Sequence, residues 1–216
     1  MLFARQGLLP LFLITLSTTI AAANPQEPKR KRILVFGDSL TAGYGLGKEF
    51  AFPALVQKRI DEAGLAYTMV NGGVSGDTSA GGLRRLAWNI RQPVDVFVLE
   101  LGANDGLRGI SPQETARNLK SIIDGVRAKY PEVQIILAGM SLPRNLGINH
   151  VADFEKVFSS LAELHKLVLI PFILEGVGGH PELNQADGIH PTKEGHQIIA
   201  DTLWKYLEPV LRDSKE

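Results

Sequence analysis

The chain of 216 residues contains no cysteine. That absence excludes a disulfide framework, a thiol nucleophile, cysteine metal ligands and a lipoprotein-type lipid anchor. A surplus of charge of one sign is also missing. Lys and Arg number 23, Asp and Glu number 23, and the formal net charge is zero. A nucleic-acid-binding domain carries a basic face, and none is visible here. The one basic run, Lys29-Arg30-Lys31-Arg32, reads first as a solvated linker and second as a phosphate or membrane patch. A long hydrophobic run is lacking too. The apolar stretch within residues 7–20 falls short of the ~20 residues that span a bilayer.

That stretch has a different build. A short n-region with Arg5 precedes it, and Ala21-Ala22-Ala23 follows as an A-x-A cleavage site. Residues 1–23 therefore read as a secretory signal peptide, with an uncleaved anchor as the alternative. The expected location is the periplasm or the medium, with no stable membrane insertion after cleavage. Residues 24–32, polar and holding Pro25 and Pro28, read as a tether. Residues 33–216 then form one domain, a usual size for a single core.

From residue 33 onward apolar strands alternate with amphipathic helices. Strands are expected over 33–36, 67–70, 94–101, 133–138 and 167–170. Helices are expected over 52–63, 78–90, 152–164 and 191–211, and one begins after Ser111. In that helix Ser111 is the N-cap, Pro112 takes the first position and Glu114 completes a capping box. Ala116, Leu119, Ile123, Val126 and Tyr130 line one of its faces. Gly81 and Gly82 weaken the 78–90 helix. The alternation predicts an α/β fold, a three-layer α/β/α sandwich on a five-stranded parallel sheet. In such sheets ligands bind beyond the carboxyl ends of the strands.

The polar residues with chemical potential fall at those ends. Ser39, in Gly37-Asp38-Ser39-Leu40-Thr41, follows the first strand. Thr41 breaks the G-x-S-x-G elbow of the α/β-hydrolases, so Ser39 alone is equally a turn or cap residue. Asp187-Gly188-Ile189-His190-Pro191 lies in the last long loop. A serine hydroxyl needs a base, and a histidine base needs a carboxylate to fix its tautomer. Asp187 lies three residues before His190, so one tight turn can hold both. Pro191 would set His190 at the mouth of the last helix. A capping box or a metal-binding pair remains open for the same spacing. Oxyanion donors are available from the backbone N–H groups of Ser39 and Gly76 and from the Asn104 amide, though plain turn chemistry would also use Gly76 and Asn104.

These blocks together resemble the SGNH, or GDSL, hydrolase superfamily. Gly37-Asp38-Ser39-Leu40, Gly76, Gly102-Ala103-Asn104-Asp105 and Asp187-Gly188-Ile189-His190-Pro191 match its four motifs in order, from about residue 33 to the C-terminus. Longer stretches, such as Val74-Ser75-Gly76-Asp77-Thr78, are similar to its bacterial thioesterase, arylesterase and lysophospholipase type. Ala103 stands where that type often has a second glycine. The resemblance implies a flavodoxin-like sandwich, no cofactor and a broad acyl-ester or thioester hydrolase.

Leu107, Ile110, Leu142 and Pro143, with Leu146 and Ile148, sit on loops at the same sheet edge and are candidates for an acyl groove; ordinary loop packing is the alternative. His150, His165 and His180 lack the i+4 partner of a zinc pair, so no metal site is expected. His196 reads as partly exposed surface. Asp38 and Asp105 read as loop braces. A monomer acting on a small acyl ester or thioester is the first expectation. A carbohydrate acetylesterase and a non-catalytic binding module are the alternatives.

Overall fold

The computed structural model describes residues 30–213. The expected signal peptide and the tether up to residue 29 lie outside the described residues. Among the described residues no helix is long and apolar enough to cross a membrane.

The elements run β1 (Lys31–Gly37), α1 (Ser39–Ala42), α2 (Phe52–Glu62), β2 (Tyr67–Asn71), α3 (Ser79–Asn89), β3 (Val96–Glu100), α4 (Ala103–Leu107), α5 (Pro112–Lys129), β4 (Gln134–Ala138), α6 (Ile148–His165), β5 (Val168–Ile170) and α7 (Lys193–Asp213). The sheet is five-stranded, parallel throughout, in the order β2-β1-β3-β4-β5. Helices α3, α5 and α6 pack together on one face, and α2 and α7 on the other. The expected α/β/α sandwich is thus what forms. Its central strands are buried on both faces, which is why 33–36 reads as an unbroken apolar run.

The tether ends earlier than expected. Lys31 and Arg32 already pair with Tyr67 and Thr68 of β2. Asp95 explains this, since one of its carboxylate oxygens accepts from the backbone N–H of Arg32 at 2.7 Å. The α5 cap forms as its sequence dictates: Ser111 Oγ accepts from Glu114 N–H at 3.2 Å. Leu119, Ile122, Ile123 and Val126 of α5 are fully buried. The glycines of α3 do not break it. A Cβ at Gly82 would run into Leu101, so the glycine lets α3 sit close against the sheet.

The last helix starts at Lys193 and not at Pro191. Asn184 and Pro191 form an antiparallel bridge that keeps this backbone extended. Thr192 then caps the helix, accepting from Gly195 N–H at 3.3 Å. His190 consequently lies before the helix mouth, and the helix dipole has less hold on it than expected. The strand order reverses between β1 and β3, and the crevice at that switch point opens above their carboxyl ends.

Candidate active site

Ser39 begins α1, one residue past the end of β1. Its turn is built by Asp38, whose Oδ1 accepts from Leu40 N–H at 3.0 Å. His190 and Asp187 arrive from the loop between β5 and α7. Gln185 braces that loop: its N–H donates to the His190 carbonyl at 2.7 Å, and its side-chain amide donates to the carbonyls of Tyr44 and Pro191.

The three residues meet in one line. Ser39 Oγ lies 2.9 Å from His190 Nε2. His190 Nδ1 lies 2.7 Å from Asp187 Oδ2. The second oxygen, Asp187 Oδ1, accepts from the backbone N–H groups of Ile189 and His190, each at 3.0 Å. The His190 side-chain bond and these two N–H donors pull the Asp187 carboxyl down to about 2. Asp187 is therefore an anion throughout the neutral range, and Nδ1 of His190 carries the proton. Nε2 is left as the acceptor facing Ser39. The Tyr44 ring covers the imidazole, with centroids 4.4 Å apart.

Gly76 and Asn104 come to the same crevice from the ends of β2 and β3. Gly76 has φ +80°, a left-handed conformation that glycine adopts without strain. The Asn104 amide donates to Asp38 Oδ2 and to the Asp77 carbonyl, both at 3.0 Å. Burial pushes the Asp38 carboxyl up to about 6, against the bonds from Leu40 N–H and Asn104 that favour its charge. Asp38 and Asp105 are braces, as expected. Asp105 accepts from both the N–H and the hydroxyl of Ser79, which ties α4 to α3.

A cleft of about 900 Å³ surrounds these groups. Leu107, Leu142 and Pro143 line it as expected. Ile110 does not. Its N–H bonds to the Asp105 carbonyl, which turns the chain into α5 away from the cleft. Leu146 and Ile148 also stay off the wall and are exposed. Met140, Phe172, Leu174 and Ile189 line the cleft and were missed. Phe172 and Leu174 had one usable signal, an apolar pair in the same long loop that carries Asp187 and His190.

His196 departs from expectation. It is buried, 1% exposed, and its Nδ1 accepts from the Phe52 N–H at 3.2 Å. Burial, and then the charge of His190, lower its pKa to about 4. Among the described residues no group of three or more His, Asp or Glu could hold a metal ion.

The family model for the GDSL-like lipase/acylhydrolase family matches residues 35–198. The chain is 41% identical over 187 residues to an esterase, TesA, of Pseudomonas aeruginosa, covering 86% of this chain and 92% of that one. It is 38% identical over 202 residues to a thioesterase 1/protease 1/lysophospholipase L1 of Escherichia coli, covering 93% and 91%. A crystal structure of TesA superposes with a TM-score of 0.79 at 41% identity, over 83% of this chain and 99% of that one. A serine, its histidine base and an anionic orienter at the switch point, in a chain so matched, place the protein in the GDSL-like lipase/acylhydrolase, or SGNH hydrolase, family.

Proposed function

We propose that this serine ester hydrolase is an exported enzyme that cleaves carboxylic ester and thioester bonds through an acyl-enzyme on Ser39. The observation that carries the reading is the line Ser39 Oγ, His190, Asp187, at 2.9 and 2.7 Å, opening on a largely apolar cleft. His190 Nε2 takes the Ser39 proton as Oγ attacks the carbonyl carbon. The imidazolium is offset by the Asp187 anion. The carbonyl oxygen, now an oxyanion, is held by the N–H groups of Ser39 and Gly76 and by the Asn104 amide. His190 returns the proton to the departing alkoxide or thiolate. Water then gives its proton to His190 and attacks the acyl-serine, and His190 passes that proton to Ser39 Oγ as the acid departs. His190 is the chain's group in every proton transfer, and the chemistry calls for no cofactor.

Leu107, Leu142, Phe172 and Leu174 suit an acyl chain, so lipid-like esters and thioesters fit the cleft. The relatives carry the names esterase, thioesterase and lysophospholipase. Export to the periplasm or medium rests on the amino-terminal pattern, and a monomer acting on small acyl substrates is the simplest working unit.

The test is hydrolysis of p-nitrophenyl esters from acetate to palmitate, with Ser39→Ala alongside. Activity should rise beyond acetate and fall at least ~10³-fold in the variant. Activity limited to acetate would favour an acetylesterase acting on sugars. Hydrolysis undiminished in Ser39→Ala would end the acyl-enzyme reading, and no hydrolysis by either protein would leave a binding module.

A further inference from the structure

The last residue of β3 is Glu100, a fully buried acid in an otherwise apolar strand. One of its oxygens, Oε2, takes the Asp38 N–H and the Thr41 N–H at 3.2 Å each and the Thr41 hydroxyl at 2.6 Å. These donors flank Ser39 on both sides. The other oxygen, Oε1, is buried without a partner. Gly37 makes the room: a Cβ there would collide with both the Glu100 carboxyl and the Thr41 hydroxyl. Gly37, the first residue of the Gly37-Asp38-Ser39 turn, is thus a seat for this carboxyl.

Among the described residues no cation pairs with Glu100. On α3 the Arg85 guanidinium is committed to Asp77 and to the carbonyls of Gly72 and Gly37. The nucleophile turn brings Asp38, a second buried carboxyl. Asp77 lies behind Arg85, and His190 faces Ser39 on the far side of the turn. Beside β3, β1 ends in Gly37 and β4 in Ala138, neither charged. A lone buried carboxylate in such a place takes up a proton in preference to staying charged. Burial, and then Asp38, accordingly raise the Glu100 pKa well above the usual carboxylate range.

We propose that Glu100 is a positioning residue of the hydrolytic site, an uncharged acid that clamps the nucleophile turn from beneath and keeps negative charge away from the oxyanion. The turn it holds carries both the attacking Oγ and the Ser39 N–H donor. A displacement of ~1 Å at such a point costs ~10²-fold in rate. Ionised, the same carboxyl would oppose the charge that develops on the substrate oxygen.

The proposal deepens the acyl-enzyme reading and rests on it. Its test compares wild type, Glu100→Gln, Glu100→Ala and Thr41→Val for kcat, KM and Tm across pH 6–9.5. The glutamine keeps an acceptor oxygen and no charge. Its kcat should stay within about threefold of wild type at pH 7. If raising the pH ionises Glu100, the wild-type kcat should fall while that of Glu100→Gln holds. Glu100→Ala should lose ~10²-fold in kcat with KM little moved, at temperatures where it is folded. Should that variant not fold, Thr41→Val carries the test. It removes the hydroxyl donor and should lose ~10-fold in kcat with KM near wild type, in a protein that stays folded at the assay temperature despite a lowered Tm. A Glu100→Gln protein as impaired as the alanine variant, one that shares the wild-type alkaline fall, or a folded Glu100→Ala or Thr41→Val with full kcat would overturn the inference. Wild-type protein without ester hydrolysis would take down the acyl-enzyme reading and this inference together. An active wild type indifferent to Glu100 would take down this inference alone.

Discussion

At the scale of single residues, Asn104 shows how a donor is stored. Both of its amide hydrogens are already engaged, one by Asp38 Oδ2 and one by the Asp77 carbonyl. These bonds set which way the amide faces. Donating to an oxyanion means sharing or surrendering one of them, and hydrogen bonds of this kind tighten only as the transition state forms. Asn104→Ala should therefore cut kcat ~10²–10³-fold with little change in KM, read from steady-state kinetics on a p-nitrophenyl ester. A raised KM with kcat unchanged would assign the amide to ground-state binding. The line of Ser39, His190 and Asp187 was legible, because a serine and a D-x-x-H pair at two ends of one sheet edge satisfy a chemical need that neither satisfies alone. Glu100 was not legible. An acid at a strand end reads as solvated until the neighbouring strands and α1 are seen to close over it.

At the scale of elements, local chemistry decides where helices begin. Ser111, Pro112 and Glu114 start α5 where the capping pattern says it should. Ser111→Ala should cost ~1 kcal/mol, measured by urea unfolding, because Glu114 N–H loses its acceptor. An unchanged midpoint would mean that packing alone sets this terminus. The start of α7 follows a different rule. Pro191 is a good first residue of a helix, yet its bridge to Asn184 holds it extended and moves the helix to Lys193. A pairing with a residue seven positions away outweighed the local preference. The same holds for β1, which gains Lys31 and Arg32 through pairing with β2.

At the scale of the whole molecule, His196 joins two elements far apart in sequence. It sits on α7, accepts from the first N–H of α2 and stacks on Phe52. Its pKa is near 4 in the folded chain against about 6.5 when exposed. The unfolded chain thus binds the proton first. The contribution of a neutral His196 is complete above pH ~6.5 and drains away as pH falls toward 4, by up to about 3 kcal/mol. Asp38 works the other way: its raised pKa gives stability below the unfolded value that is lost as pH rises through about 6. Comparing wild type with His196→Gln separates the two. Between pH 7 and pH 4.5 the wild type should lose roughly 5–10 °C of Tm relative to the variant. Parallel Tm curves for the two proteins would exclude the histidine.

The amino-acid sequence by itself determined the order of strands and helices, the parallel sheet and the identity of Ser39, Asp187 and His190. Periodicity, capping and turn chemistry act over a few residues, and the four motif blocks each lie within one loop. Tertiary structure alone decided which residues line the cleft, why Ile110 turns away, and which titratable groups lie in the dark. Burial and pairing are properties of what comes to rest beside a residue. For Glu100 and His196 those neighbours are 59 to 62 and 144 residues away along the chain. No local pattern encodes such a distance, so an acid and an imidazole that look like surface became, on folding, the uncharged supports of the site and of the helix pair behind it.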